Sequence, residues 1–153
     1  MNYRQGTFKP QHPEKYKGSQ PIIFRSGMEL KMFQICDSHQ SIITWGSESV
    51  VVPYVSPVDN KLHRYFIDLV MAVKHNTGTI QKYIVEIKPY RQTLPPTKSS
   101  KKKTSTILYE TIQYAKNMSK WESAKEWAAK HGYKFLIVTE NELKNLANLH
   151  WIE

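Results

Sequence analysis

The sequence HRYFIDLVMAVKHNTGTIQKYIVEIK, residues 63–88, consists of two β-prone runs joined by the turn-forming segment HNTGT. Residues 63–73 and 80–88 are both rich in β-branched and aromatic side chains, which predicts a β-hairpin. The near-continuous apolar character of both runs indicates strands that are covered on two faces. This hairpin is the centre of the predicted sheet, and the charges inside it need an explanation.

Three charged residues interrupt the apolar pattern of the hairpin: Asp68 in the first run, and Glu86 and Lys88 in the second. Residues i and i+2 of a strand point to the same face, so Glu86 and Lys88 stand side by side, about 6 to 7 Å apart. Val85 and Ile87 then face the other way, into the core. If the turn is centred on about residue 77, antiparallel pairing places Asp68 opposite Glu86.

Burying an unpaired charge is expensive, so this group of charges requires a role. Two carboxylates that converge in a low-dielectric setting repel each other, and a bound Mg²⁺, which prefers oxygen ligands, resolves that repulsion. Lys88 beside them can position a water molecule or stabilise negative charge on a phosphate oxygen. These residues predict a hydrolytic site for phosphodiesters. The alternative is a structural role, in which Asp68 pairs with Lys88 or Arg64 in the core.

The composition fits a single globular domain with a basic surface. The chain has 153 residues, 40% of them hydrophobic, and 22 Lys and Arg against 13 Asp and Glu give a formal net charge of +9. This excess favours a polyanionic partner such as nucleic acid. The single cysteine, Cys36, cannot form an internal disulfide, and we expect it in the core of an intracellular protein. No apolar stretch has the character of an export signal or a membrane span, so no membrane partner is expected.

The N-terminal part of the chain predicts a basic arm followed by a helix. Residues 1–22 contain prolines, glycines and cations without apolar periodicity, so we expect an extended arm, with the folded domain at 23–153. Apolar residues at helical spacing predict a helix at 27–38, and Ser26 with Glu29 three residues later has the order of a capping box. Glu29 therefore has a structural explanation of its own.

The remaining chain alternates strands and helices. The runs SIITW and ESVVVPY, residues 41–45 and 48–54, predict a pair of strands. After the hairpin the pattern predicts a long helix at 106–131, a strand at 133–139 and a closing helix at 139–149. A strand that returns after a long helix indicates a parallel connection. We therefore predict an α/β fold with a mixed sheet flanked by helices.

A basic loop, residues 89–105, separates the hairpin from the long helix. It is rich in proline and lysine and cannot offset its ordering entropy by burial, so we expect it to be mobile when no ligand is bound. Its cations are candidates for contacts to DNA phosphates: Arg91, Lys98, Lys101, Lys102 and Lys103. A polar stripe on the long helix, Gln113, Asn117 and Lys120, is most often a solvent face and is a weaker candidate for substrate contacts.

The order of an acid, a hairpin-length gap and Glu-x-Lys resembles the signature of the PD-(D/E)XK nucleases, here as Ile67-Asp68 and Glu86-Ile87-Lys88. A lone Glu-x-Lys is a weak motif, and its position after a hairpin with an acid opposite is what strengthens it. Ile67 stands where that family usually has proline. The resemblance implies a restriction-endonuclease-like fold.

The runs RSGMELKMF, SVVVPYVSPVDNKLHRYFIDLV and YIVEIKPYRQTLPP are similar to the head completion nucleases of tailed myophages, relatives of the TnsA-type transposition endonucleases. This resemblance implies an active centre of Glu29, Asp68, Glu86 and Lys88. Asp68, Glu86, Glu29 and the Ile87 carbonyl would bind Mg²⁺, or Mn²⁺ in its place, while Lys88 positions the water. The resemblance also implies a virion protein of the head–neck region, assembled in the host cytoplasm, that acts on packaged double-stranded DNA beside portal and neck proteins.

The residues and the resemblance together favour a metal-dependent deoxyribonuclease. A structural neck or DNA-binding virion protein with little turnover is one alternative, and an endonuclease subunit of a transposase is another. The intact set of four candidate residues argues against a decayed site. His63, at the entry of a strand, is more often an ordinary surface residue and is left outside the site.

Overall fold

The computed structural model of the protein describes residues 5–144. Its strands are β1 (Gly6–Thr7), β2 (Ile23–Phe24), β3 (Ile42–Ser47), β4 (Val51–Val55), β5 (Leu62–Phe66), β6 (Leu69–Lys74), β7 (Ile80–Ile87) and β8 (Tyr133–Val138). Its α-helices are α1 (Gly27–Ser38), α2 (Thr104–His131) and α3 (Glu140–Leu143), and short 3₁₀ helices span Pro13–Lys15 and Tyr90–Thr93. Within these residues no helix is both long and apolar enough to cross a membrane.

A four-stranded sheet with the order β3-β6-β7-β8 forms the centre of the molecule. The pairs β3–β6 and β6–β7 are antiparallel, whereas β8 lies parallel to β7 after the crossover through α2. One face of the sheet packs against α1, and the other packs against α2. The predicted mixed α/β fold is confirmed. The parallel return from β7 to β8 needs a long crossover connection, and α2 provides it.

The hairpin β6–β7 has the register that the sequence predicts. Leu69 pairs with Val85, so one further step along both strands places Asp68 opposite Glu86. Gly78 adopts a positive φ of 86° in the turn, and its N–H donates to the carbonyl of His75. The turn centre therefore sets which residues meet at the far end of the hairpin.

The predicted strand at 63–73 is in fact two strands, and this expectation was wrong. The chain breaks at Ile67 and Asp68, and the part before the break is β5, which pairs with β4 in a separate two-stranded sheet. β5 is also not covered on two faces, because only Tyr65 of its five residues is buried. Its alternation of one buried residue among exposed neighbours is the pattern of a strand with one covered face.

The predicted pairing of 41–45 with 48–54 was also wrong. β3 pairs with β6, and β4 pairs with β5. The chain between β3 and β4 crosses from the main sheet to the small sheet, where the carbonyl of Asp68 accepts the N–H of Glu48. Sequence neighbours therefore lie in different sheets here.

Residues 5–22 pack on the domain instead of forming the extended arm expected from the sequence. Ile22 is completely buried, and the rings of Phe8 and Tyr16 make edge contacts with Trp45, at centroid distances of 5.9 and 4.7 Å. The carboxylate of Asp37 accepts backbone N–H groups from this segment. Irregular backbone of this kind leaves no periodic pattern, and so its packing was not visible in the sequence.

The predicted helices α1 and α2 are confirmed, with α2 beginning two residues earlier than expected and ending at His131, followed by Gly132 with a φ of 76°. Only the C-terminal half of α2 is buried, through Trp121, Ala124 and Ala128. A capping box at Thr139 starts α3. The rest of the predicted closing helix, 145–149, lies outside the described residues.

Candidate active site

The C-terminal end of β7 brings the central charges of the site together. Glu86 is 6% exposed, and its Oε1 lies 3.7 Å from the Nζ of Lys88, so both side chains share one face as predicted. Val85 and Ile87 belong to the apolar core on the opposite face. Asp68 follows the break between β5 and β6, and its Oδ2 accepts the N–H of Ile87 at 2.8 Å. The strand break thus turns the Asp68 carboxylate toward the end of β7.

The electrostatics of Asp68 are those of a carboxylate held against another negative charge. Burial raises the pKa of Asp68 well above its usual range, and the neighbouring charges of Glu86 and Glu29 raise it further. The N–H of Ile87 and the charge of Lys88 act in the opposite direction. The negative charges of Glu86 and Glu29 therefore disfavour the ionised form of Asp68.

The structural alternative for Asp68, an ion pair within the core, does not form in residues 5–144. No Lys or Arg of this part of the chain lies within 4 Å of the Asp68 carboxylate. The guanidinium of Arg64 instead lies over the ring of Phe66, 5.1 Å from its centroid. Asp68 consequently has a backbone donor but no adjacent cation.

Glu29 lies at the start of α1, where it takes part in the helix cap, and its charge acts on Asp68. Its N–H donates to the Ser26 side chain at 3.1 Å, which caps the helix. Its side chain is partly buried, burial raises its pKa, and its charge acts on Asp68. Glu29 is therefore within electrostatic range of the site.

The donor set suits a hard divalent cation. In the described part of the chain, no three or more His, Cys, Asp or Glu side chains form a ready-made metal cluster. Mg²⁺ does not require one, because it usually takes one or two carboxylates and completes its shell with waters and substrate phosphate. The N–H of Ile87 donates to Asp68, so the backbone of Ile87 lies beside this carboxylate. Asp68, Glu86 and the Ile87 carbonyl are oxygen donors that fit such an ion.

Tyr65 is a site residue that the sequence analysis missed. Its ring is buried, and its hydroxyl donates to Glu86 Oε2. Tyr65 comes from β5, so the small sheet supports the carboxylate that the main sheet carries. A buried tyrosine generally needs a partner for its hydroxyl, and this requirement is the indication in the sequence that could have found it.

A groove of about 700 Å³ opens beside Lys88, between the segment after β7 and the part of α2 from Tyr109 to Lys120. It is lined by cations and polar side chains from both walls, among them Lys88, Arg91, Lys102, Gln113, Asn117 and Lys120. The polar stripe of α2 is therefore one wall of a groove that reaches the site at Lys88, and it is not a simple solvent face.

The cations of the predicted basic loop differ in their environments. Lys102 already has a partner, because its Nζ lies 3.1 Å from Glu110 Oε2. Lys98, Lys101 and Lys103 are exposed and lie outside the groove lining, whereas Arg91 lines it. Residues 94–103 form no helix or strand. His63 is exposed and pairs with Asp59 at 2.8 Å, and its ring packs against that of Tyr54.

Comparison with known proteins identifies the family to which the chain belongs. Residues 39–140 match the family described as TnsA-like endonuclease N terminal, and the chain belongs to this family. The predicted superfamily and its restriction-endonuclease-like fold are thereby confirmed.

A close relative narrows the comparison further. Over 145 residues the chain is 37% identical to the head completion nuclease of Enterobacteria phage T4, and the match covers 92% of this chain and 94% of the relative. No solved structure matches the chain significantly.

Proposed function

We propose that this protein is a Mg²⁺-dependent deoxyribonuclease that hydrolyses phosphodiester bonds of packaged phage DNA during head completion and head–tail joining. The observation that supports it most directly is the meeting of Asp68, Glu86 and Lys88 at one end of β7. The name of the T4 relative, a head completion nuclease, supports the biological setting.

In the proposed site, four side chains and one backbone group have separate roles. Asp68 and Glu86 would hold the metal ion with the Ile87 carbonyl, and Glu29 would complete the set from α1. The bound ion would act as a Lewis acid on the phosphate and lower the pKa of a bound water. Lys88, 3.7 Å from Glu86, would position the attacking water or neutralise charge on a phosphate oxygen. Mn²⁺ would replace Mg²⁺, since both accept oxygen ligands.

Double-stranded DNA would reach the carboxylates along the groove beside Lys88. Arg91 and the exposed cations Lys98, Lys101 and Lys103 would contact phosphates without reading the base sequence. Lys102 would do so only by exchanging its partner Glu110. Replacing Lys98, Lys101 and Lys103 by Gln together should reduce the salt dependence of DNA affinity, by a slope of about 1 for each lysine–phosphate ion pair that is removed.

The test is cleavage of plasmid DNA by the purified protein with Mg²⁺, with Mn²⁺ and with EDTA. Asp68→Ala and Lys88→Ala should abolish cleavage and leave the fold and DNA retention largely intact. His63→Gln is the matched control, because His63 lies on β5 but outside the site. Full activity in either Asp68→Ala or Lys88→Ala would refute the assignment.

The same experiment separates the other candidate functions. A structural neck protein would bind DNA with no cleavage under any metal condition. A transposase-type subunit, the kind of enzyme for which the family is named, would cut only at particular ends or with a partner recombinase. Localisation to the head–neck region and contact with portal or neck proteins belong to the same proposal and would be checked by labelling the protein in intact virions.

A further inference from the structure

We infer that Lys120 is a further catalytic residue of this site, and that its ammonium group contacts the scissile phosphate from the α2 side of the groove. The inference rests on the proposed nuclease function and adds a residue to it. Lys88 approaches the same place from β7, so the phosphate would lie between a strand cation and a helix cation.

The position of Lys120 is fixed by two aromatic rings. Its Nζ lies 5.7 Å from the ring centroid of Tyr54 and 5.5 Å from that of Tyr65. Both rings are buried, and they pack edge to face, with centroids 6.4 Å apart. The ring of Tyr65 also carries the hydroxyl that donates to Glu86. The same side chain therefore orients the carboxylate and supports the cation, which ties the position of Lys120 to that of the site.

Lys120 has no anionic partner among residues 5–144. In residues 5–144 its Nζ donates no hydrogen bond to a side chain or carbonyl, and no carboxylate lies within 4 Å of it. The charges of Glu86 and Asp68 attract it from a distance, and those of Lys88 and Lys116 repel it. Lys102, across the groove, already pairs with Glu110. A partly buried and preorganised cation without an internal partner, facing a groove, is suited to an anion from outside.

The chemistry of hydrolysis provides a use for a second cation. The water oxygen forms a bond to phosphorus and gives up a proton to solvent. The bond from phosphorus to a sugar oxygen breaks, and that oxygen takes a proton from solvent, so the products end in a phosphate and a hydroxyl. Negative charge builds on the phosphate oxygens and the departing oxygen during this exchange. Lys120 keeps its own proton and donates a hydrogen bond to a non-bridging oxygen. Because its position is set before the reaction, it stabilises this charge without reorganising.

Three substitutions separate charge from packing. Lys120→Met keeps the apolar stem between the tyrosine rings and removes the charge, Lys120→Arg keeps the charge, and Lys120→Ala removes both. Lys125→Ala, an exposed lysine on the same helix, is the matched control. Steady-state cleavage of a DNA duplex is measured at saturating Mg²⁺, and duplex affinity is measured in an Asp68→Asn background, where cleavage is blocked.

We expect kcat to fall about 10²-fold in Lys120→Met and Lys120→Ala, the size of effect typical for the loss of one donor to a developing charge. KM, the half-saturating Mg²⁺ concentration and duplex affinity should change little. Lys120→Arg should recover most of the rate, and Lys125→Ala should match the wild type.

Two results would overturn the inference alone while the wild type remains active. One is normal kcat in Lys120→Met with a loss only in Lys120→Ala, which would make Lys120 a packing residue. The other is an unchanged kcat with weaker duplex affinity, which would make it an ordinary backbone contact. An inactive wild type with every metal would overturn the proposed function, and this inference with it.

Discussion

The two faces of the central sheet show how one strand serves both stability and chemistry. Along β7, Val85 and Ile87 enter an apolar cluster that α1 and the N-terminal segment close completely. Ile84 enters the cluster on the other face, which α2 covers with its C-terminal half only. Glu86, next on that face, therefore lies where the cover ends. One face is filled, and the other ends in a groove at which charge can meet a ligand.

Two aspartates sharpen this comparison. Asp37, on the closed side, is 5% exposed and accepts backbone N–H groups of Gln11 and His12 at 2.8 and 2.9 Å. Asp68 accepts one N–H, from Ile87, and faces the like charge of Glu86. The first carboxylate is satisfied by the chain itself, whereas the second is left in need of a cation. A satisfied buried charge indicates structure, and an unsatisfied one indicates a site.

Glu86→Gln should have the largest effect on the face of the central sheet that α2 covers in part. Glutamine keeps the shape of the side chain and an acceptor for the Tyr65 hydroxyl but loses the charge proposed to hold the metal. Cleavage should fall about 10³-fold or more, since metal assistance supplies several kcal/mol of transition-state stabilisation. Plasmid cleavage rates and thermal melts would be measured together. A variant that cuts at the wild-type rate would remove Glu86 from the site.

Trp45→Ala tests the face of the central sheet that α1 and the N-terminal segment cover. Trp45 is 1% exposed and contacts Phe8, Tyr16 and Phe33, so its truncation should lower the free energy of unfolding by about 3–5 kcal/mol. Cleavage per folded molecule should remain near the wild-type value, because this side chain lies on the face away from the carboxylates. Denaturant titration and active-fraction assays would check both points.

Trp45→Phe is the milder companion to that variant. The indole N–H of Trp45 has no partner among the described residues, so phenylalanine loses volume but no hydrogen bond. A smaller loss of stability is expected. If either Trp45 variant abolished cleavage while remaining folded, the conclusion that one face of the sheet serves stability and the other carries the site would be wrong.

Tyr65→Phe should have an intermediate effect. It removes the hydroxyl that donates to Glu86 and keeps the ring under Lys120. Loss of a group that orients a metal ligand typically lowers metal affinity or activity 10–100-fold. The rate should therefore recover partly at high Mg²⁺, in contrast to Glu86→Gln. A titration of cleavage rate against Mg²⁺ for both variants would show whether this contrast exists.

The smallest expected effect is in the pH dependence of stability without metal. The pKa of Asp68 is raised above its ordinary value of 3.8, so the folded state holds a proton that the unfolded chain has lost. Stability from this group is therefore present at low pH and is lost as pH rises through the folded-state pKa. In EDTA, the Tm of Asp68→Asn should exceed that of the wild type increasingly as pH rises, and Mg²⁺ should narrow the gap. A Tm difference between Asp68→Asn and the wild type that stays constant with pH would contradict the raised pKa of Asp68.

The hairpin and its charges could be predicted because they depend on local rules. Turn chemistry at HNTGT sets the register, and register sets which residues oppose each other, so Asp68 and Glu86 followed from counting. The break at Ile67 could not be predicted in the same way. An apolar run has the same appearance whether it forms one strand or two, and only the competition between two sheets for β5 decides.

The packing of the N-terminal segment and the partner of Glu86 could not be predicted for a related reason, and Lys120 could be named only as a weak candidate for substrate contacts. Tyr65 and Lys120 come from β5 and α2, 21 and 34 residues away from Glu86 along the chain. No periodicity joins such positions, because their contact depends on how two sheets and a helix pack. The packed course of residues 5–22 likewise follows from the shape of the surface around Trp45.

Local physical chemistry written in the sequence alone determined the mixed sheet, the long crossover helix and the pairing of an acid with Glu-x-Lys across a hairpin. Those features need only side-chain alternation, turn geometry and helix periodicity, all of which act over a few residues. The tertiary structure decided where the strand breaks, which tyrosine donates to Glu86, and that one groove is lined by both Lys88 and Lys120. These depend on long-range packing, in which the burial of one element sets what the next element can reach.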